Sequence, residues 1–212
     1  DISVPIPGFL PFPVTASVTV TATDNGCTGP PQVFSVTATP APTGNMTLTG
    51  SANICQGQNA VFSVSISGGS APFTIVYAID GVNQAPITTN NNPYTLNVPM
   101  SSSGVVSLVS IANSSCTGNA TGSANINVTP TPTAAISPGT TNICTGQSTD
   151  ITVDFTGTGP FTFVYRINGI SQPPITTPGP SYTITVTPNN PGTFNYTLFS
   201  VTSNGCAGTV SG

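Results

Sequence analysis

The sequence contains no histidine, lysine, glutamate or tryptophan, and its whole charged inventory is Arg166 with Asp1, Asp24, Asp80, Asp150 and Asp154. Each absence removes a class of function. General acid–base catalysis near neutral pH is mostly carried by His, Glu or Lys, so no catalytic residue is expected and the chain reads as a non-enzyme. One Arg cannot neutralise the several phosphates on which nucleic-acid affinity depends, so nucleic acid is not an expected partner. Zinc takes clustered Cys and His; isolated cysteines without His point to no metal and no other cofactor. No apolar run approaches the ~20 residues of a membrane span, and no basic stretch leads into an apolar core as in a signal peptide. Membrane insertion is therefore not expected, and export is expected to depend on sequence outside this chain.

Charged residues make up 3% of the sequence, against about 25% in an average soluble domain. Low charge can accompany disorder, but 37% of the residues are hydrophobic and they alternate with polar ones, which reads as folded β structure. The five cysteines are Cys27, Cys55, Cys116, Cys144 and Cys206. All are expected in structural disulfides, which places the protein in an oxidising compartment, outside the cell or on its surface. Because the count is odd, at least one of them pairs beyond the chain or stays free.

The chain repeats itself. The segment ICQGQNAVFSVSISGGSAPFTIVYAIDGVNQAPITTNNNPYTLNV, which contains Cys55, matches ICTGQSTDITVDFTGTGPFTFVYRINGISQPPITTPGPSYTITV, which contains Cys144. Cys27 to Cys116 and Cys55 to Cys144 are each 89 residues apart, and Cys116 to Cys206 is 90. SVTATPAP at residues 35–42 matches INVTPTP at 126–132. The Pro/Thr stretches at 39–43 and 129–133 read as short, extended linkers. The expected units are 1–42, the last third of one repeat; 43–132, a complete repeat; and 133–212, a repeat lacking its last strand. On this reading the chain is an excerpt of a longer array.

Helix is disfavoured by 22 glycines and 22 prolines and by the lack of any 3.6-residue apolar period. In the complete repeat, strands are expected near 46–49, 60–67, 73–79, 84–88, 94–98, 104–112 and 122–129. Asp80-Gly81 and Asn168-Gly169 suit the positive-φ positions of tight hairpins. Phe62, Val64 and Ile66 alternate with Ser63, Ser65 and Ser67, so one face of that strand is apolar and the other hydroxylated. Seven strands in about 90 residues predict an all-β chain of tandem Greek-key sandwiches of the immunoglobulin type. Tyr77, Tyr165, Phe73 and Phe161 are expected to supply the aromatic bulk of the missing core Trp.

The order I-C-x-G-Q, G-x-x-P-F-T-x-x-Y, P-Y-T-L-x-V and then D-N-G-C-T-G or N-G-C-A-G resembles tandem immunoglobulin-like repeats of large Bacteroidota cell-surface proteins. Gliding-motility adhesins exported by the type IX secretion system are among them. The resemblance covers the whole chain and implies surface display, great total length and a stalk or adhesive role, without identifying a ligand.

The remaining candidates for chemistry have plainer explanations. Asp150 and Asp154 lie four apart on one expected strand, hence about 13 Å apart on one face, too far to share a proton or a calcium ion. Val61 and Ser65 replace them in the preceding repeat. Asp80-Gly81 and Asp24-Asn25-Gly26 read as turns before ligands. An isopeptide staple is excluded without Lys, and a Thr–Gln ester through Gln58 or Gln147 is a remote alternative. Asn-x-Ser/Thr triplets occur at Asn45, Asn113, Asn119, Asn127 and Asn195, at a frequency this composition yields by chance.

Strand order argues about the cysteines. Cys55 precedes the second strand of its repeat and Cys116 follows the sixth, and those strands run the same way in this fold. The two cysteines should then stand about 30 Å apart, beyond the reach of a disulfide. The expected bond is Cys55–Cys206, between repeats, with Cys27, Cys116 and Cys144 pairing to repeats or chains beyond. The alternative is Cys55–Cys116 with Cys144–Cys206. The expected function is a structural and adhesive module of a long extracellular protein or filament. Its expected partners are neighbouring repeats or copies of the same protein, with surface polysaccharide as a further candidate. The alternative is a carbohydrate- or surface-binding accessory module of a secreted enzyme, which an exposed cluster at Phe9, Leu10 and Phe12 would favour.

Overall fold

The computed structural model describes residues 14–212, and all their regular elements are strands. Four Asn/Asp-Gly dipeptides turn the chain: Asn25-Gly26, Asp80-Gly81, Asn168-Gly169 and Asn204-Gly205 all have both residues at positive φ, between 47° and 83°. That is the conformation of the two central residues of a type I′ turn, which Asn or Asp tolerates and Gly prefers.

Strands β1 (Val14–Val20) and β2 (Gln32–Ala38) form an antiparallel hairpin in which Ala16 opposes Val36 and Val18 opposes Phe34. One face is therefore apolar. The other carries hydroxyls that bond across the ladder, Thr15 to Thr37 at 3.0 Å and Ser17 to Ser35 at 3.3 Å.

A first sandwich follows. Its strands are β3 (Thr43–Leu48), β4 (Asn53–Cys55), β5 (Asn59–Ser67), β6 (Phe73–Ile79), β7 (Ile87–Thr89), β8 (Tyr94–Pro99), β9 (Gly104–Ala112) and β10 (Ser123–Thr129). One sheet has the order β7-β6-β9-β10-β4, and the other has β8-β5-β3 with the short strand Ala120–Thr121 at its edge. The second sandwich has β11 (Thr133–Ser137), β12 (Thr149–Thr156), β13 (Phe161–Ile167), β14 (Ile175–Thr177), β15 (Ser181–Val186), β16 (Tyr196–Ser203) and β17 (Thr209–Ser211). Its sheets are β15-β12-β11-β17 and a second in which β13 lies between β16 and β14. Packing divides the chain into two compact units, and the division does not fall between the sandwiches. Ser51–Ala60 and Asn97–Gly104 group with Asn125–Gly212, while the remaining residues form the other unit.

One strand expectation changes, and one irregularity is new. The strand expected near 84–88 is broken into Val82–Asn83 and Ile87–Thr89, with Pro86, which has no N–H to give a ladder, between them. Phe199 is an extra residue in β16: pairing passes from Ser200 opposite Val164 to Leu198 opposite Tyr165. The bulge turns Phe199 outward, where the Arg166 guanidinium lies 3.6 Å from its ring centroid. Among the expected aromatics Phe73, Tyr77 and Phe161 are buried, whereas Tyr165 is half-buried against the core. The largest wholly buried side chains are Phe62 and Phe163.

The two cores place a large and a smaller side chain at exchanged positions. Phe62 and Ile75 in the first stand where Ile151 and Phe163 stand in the second, all four buried. Gly44 and Ile111 similarly become Ala134 and Val201. A Cβ at Gly44 would overlap the Ile111 side chain, so one carbon is moved from strand to strand rather than added. Gly44→Ala is expected to cost about 1–3 kcal/mol by overpacking, and Ile111→Val about 0.5–1.5 kcal/mol. The double substitution should cost less than the sum, because each change relieves the other. A double-mutant cycle by urea denaturation measures this coupling, and strict additivity would contradict it.

Candidate functional site: the cysteine turns

The C-x-G-Q motif is a closed turn. The Gln58 N–H donates to the Cys55 carbonyl at 3.0 Å, the Gln58 side-chain oxygen accepts from the Cys55 N–H at 3.0 Å, and Gly57 supplies a φ of 83°. A positive φ at the third residue is what a type II turn requires. The turn is held at both ends: the Gln56 N–H donates to the Thr129 carbonyl at 2.9 Å and the Gly57 N–H to the Met100 carbonyl at 3.0 Å. β4, which ends at Cys55, runs parallel to β10 with Ile54 opposite Val128. The side chain of Gln58 is thus engaged in building the turn, which is its plain role here.

The second cysteine sits on the N-G-C-x-G hairpin. Asn204 and Gly205 make the tip, Ser203 pairs with Cys206, and the Ser203 hydroxyl donates to the Thr158 carbonyl. The glycine after the cysteine has a steric reason. A Cβ at Gly118 would overlap the Pro42 carbonyl, and one at Gly208 the Pro132 carbonyl. Both glycines lie where the chain leaving the linker begins its first strand.

Cys55 and Cys206 are joined in a disulfide that spans 151 residues of sequence, their Cα atoms 5.6 Å apart. The bond runs between successive repeats, as the strand directions predict. Cys206 is buried and Cys55 half-buried. Cys27 and Cys144 are exposed free thiols and Cys116 is a half-buried one. Cys116 stands on an Asn113 turn, with the Asn113 side-chain oxygen accepting from the Cys116 N–H at 2.8 Å, and its sulfur lies 3.8 Å from the Thr39 hydroxyl.

The Cys144 turn repeats the Cys55 turn: the Gln147 N–H donates to the Cys144 carbonyl at 3.0 Å and Gly146 has a φ of 83°. Its surroundings differ. Asn142–Cys144 pairs with no strand, and a cleft of about 960 Å³ opens beside it, lined by Ile143, Cys144, Ile151, Val186, Phe194 and Tyr196 among others. Burial raises the pKa of the Tyr196 phenol above its ordinary value, and nearby Tyr165 adds to the rise.

The aspartates serve the fold. Asp80 accepts from the Val105 N–H at 2.7 Å and returns its own N–H to the Val105 carbonyl at 2.8 Å. Asn168 makes the same pair with Asn195, both bonds at 2.8 Å. Asp and Asn interchange here because only the shared side-chain oxygen is used. Asp150 and Asp154 are exposed, and Asp150 accepts from the Thr185 hydroxyl at 2.7 Å. Among the described residues no three His, Cys, Asp or Glu come together as metal ligands. Phe9, Leu10 and Phe12 lie outside the described residues.

Residues 132–212 match the family model of the Ig-like domain of nucleoporin POM152. No curated protein matches the chain by sequence. Among solved structures, the I-band fragment I67-I69 from titin is similar over 82% of this chain and 65% of its own, at 16% identity and a TM-score of 0.51. An E-to-A variant of the same three domains covers 80% of this chain and 62% of its own, at 15% identity and a TM-score of 0.49. The chain thus spans less than two thirds of either titin fragment. A solved chain from a structural study of a 1.5-MDa bacterial ice-binding adhesin is similar over 93% of this chain and 74% of its own, at 15% identity and a TM-score of 0.37. With the sandwiches described above, the family-model match over residues 132–212 and the likeness to the titin fragment I67-I69 establish that the chain has the immunoglobulin-like fold.

Proposed function

We propose that this chain is a structural, adhesive segment of a long extracellular surface protein, of the kind its resemblance to Bacteroidota surface repeats implies, and that it catalyses nothing. The observation that carries the reading is the Cys55–Cys206 bond, which links one repeat to the next rather than bracing a single sandwich. Such a bond serves a protein that bears tension along its length. The uncharged hydroxyl and amide surface fits the same role, since it offers salt and pH almost nothing to screen or titrate.

Two measurements test the proposal. Pulled from its ends, the oxidised chain should withhold the 151 residues between Cys55 and Cys206, about 500 Å of extended length at ~3.3–3.6 Å per residue. Reduction should release that length. Antibodies raised against the chain should label intact, unpermeabilised cells of its source. Equal extension with and without reductant would remove the mechanical role, and labelling only after permeabilisation would remove the surface role.

A further inference from the structure

Two of the three Asn-Gly dipeptides turn the second sandwich, Asn168-Gly169 and Asn204-Gly205, and their side chains do different work. Asn168 is held through its oxygen, which accepts from the Asn195 N–H at 2.8 Å. Asn204 is held through its nitrogen, which donates to the Thr158 carbonyl at 3.4 Å. Hydrolysis of a side-chain amide to an acid removes the nitrogen and keeps an oxygen. It therefore spares the bond at Asn168 and destroys the one at Asn204, where a carboxylate would face a carbonyl oxygen.

The first sandwich shows that the acid fits this turn. Asp80 stands there at the position of Asn168, and its carboxylate accepts from the Val105 N–H at 2.7 Å as Asn168 does from Asn195. The backbone is alike as well: φ is 49° at both residues, followed by 80° at Gly81 and 83° at Gly169. The setting also suits the reaction. Asn168 and Gly169 are both exposed, and nothing lies within 4 Å of where a Cβ on Gly169 would stand. The glycine thus brings no side chain between its nitrogen and the Asn168 amide carbon. The Asn195 N–H is already aimed at the oxygen on which negative charge develops when that carbon is attacked, and a donor so placed stabilises the charge.

We propose that Asn168 is a self-modification site, converted to aspartate in the folded protein by its own backbone and water. The Gly169 nitrogen bonds to the Asn168 side-chain carbon, the bond from that carbon to Nδ2 breaks, and the Gly169 amide proton leaves with Nδ2 as ammonia. Water then opens the cyclic imide. Cleavage at the side-chain carbon restores the ordinary backbone and leaves aspartate. Cleavage at the main-chain carbon gives isoaspartate, whose backbone is one atom longer. The turn is fixed by the Asn168 N–H on the Asn195 carbonyl as well as by the side-chain oxygen, both at 2.8 Å, and has no slack for the extra atom. Aspartate is therefore the product that accumulates. Each conversion adds one negative charge to a formal net charge of −4, two residues from Arg166, the only Lys or Arg of the chain. The reaction needs only the folded turn and water, so it is independent of where the protein acts.

The test holds the folded 212-residue chain at mildly alkaline pH and body temperature and follows it by chymotryptic peptide mapping. Mass spectrometry should find the amide-to-acid mass gain growing at Asn168 while Asn204 keeps its amide. Electron-transfer fragmentation should assign the product as aspartate, and ion exchange should resolve the modified chain as one charge more acidic. Asn168→Asp should leave the urea midpoint where it is, whereas Asn204→Asp should lower it. A chain that keeps its amide at Asn168 over the period in which a synthetic peptide of residues 163–173 converts overturns the proposal. So do equal conversion at Asn204, isoaspartate as the main product at Asn168, and a midpoint that falls with Asn168→Asp.

Discussion

Replacing Cys55 and Cys206 together by alanine is expected to lower the free energy of unfolding by up to about 5 kcal/mol, the chain-entropy estimate for closing a loop of this length. The loop spans 151 residues, so the unfolded chain regains more freedom than a bridge inside one sandwich would return. Alanine is the informative replacement at Cys206, which is 2% exposed, because serine would bury a hydroxyl and add its own cost. Urea denaturation should show the midpoint falling and the slope rising, since an uncrosslinked denatured chain exposes more surface. An unchanged midpoint would mean that the bond constrains nothing.

The second large effect belongs to Phe163. Its ring lies 5.3 Å from that of Phe155, 5.5 Å from Tyr182 and 6.5 Å from Tyr165, with Phe161 stacked on Phe155 at 4.9 Å. The side chain is wholly buried at the centre of this cluster. Phe163→Ala is expected to cost about 3–5 kcal/mol, combining lost transfer energy with the cavity left behind. Phe163→Ile should cost much less, because Ile75 fills the same position in the first sandwich, although there it is matched by Phe62 rather than Ile151. Adding Ile151→Phe to Phe163→Ile should recover stability. Denaturation of the three variants checks the order, and equal losses for Ala and Ile would contradict it.

Much of this architecture can be read before any coordinate is known. The alternation of Phe62, Val64 and Ile66 with serines assigns a face to every residue of β5, and the four Asn/Asp-Gly dipeptides place turns whose geometry only such residues adopt easily. Even the disulfide follows from strand direction, because a parallel pair of strands puts its leading and trailing ends far apart. What stays hidden depends on contacts remote in sequence. β4 is three residues long and exists because β10, some 70 residues away, offers it a parallel edge. The bulge at Phe199 reverses which side of the sheet a residue faces, and no local pattern announces it. The exchange between Gly44/Ile111 and Ala134/Val201 is visible as substitutions, but its compensating sense appears only when the two strands face one another. At the cysteine turns, the sequence names the residues, and the structure adds why glycine stands two residues after Cys116 and Cys206.

The Cys55–Cys206 bond also bears on damage. Arg166 is the chain's only lysine or arginine, and it lies inside the stretch that the two cysteines enclose. A cut there, or at any point between Cys55 and Cys206, leaves both fragments joined through sulfur, so a nicked molecule is still one molecule. Severing it takes two events of different chemistry, hydrolysis of a peptide bond and reduction of a disulfide. In an oxidising environment rich in proteases only the first is common, and a strand of such repeats would remain continuous after many cuts.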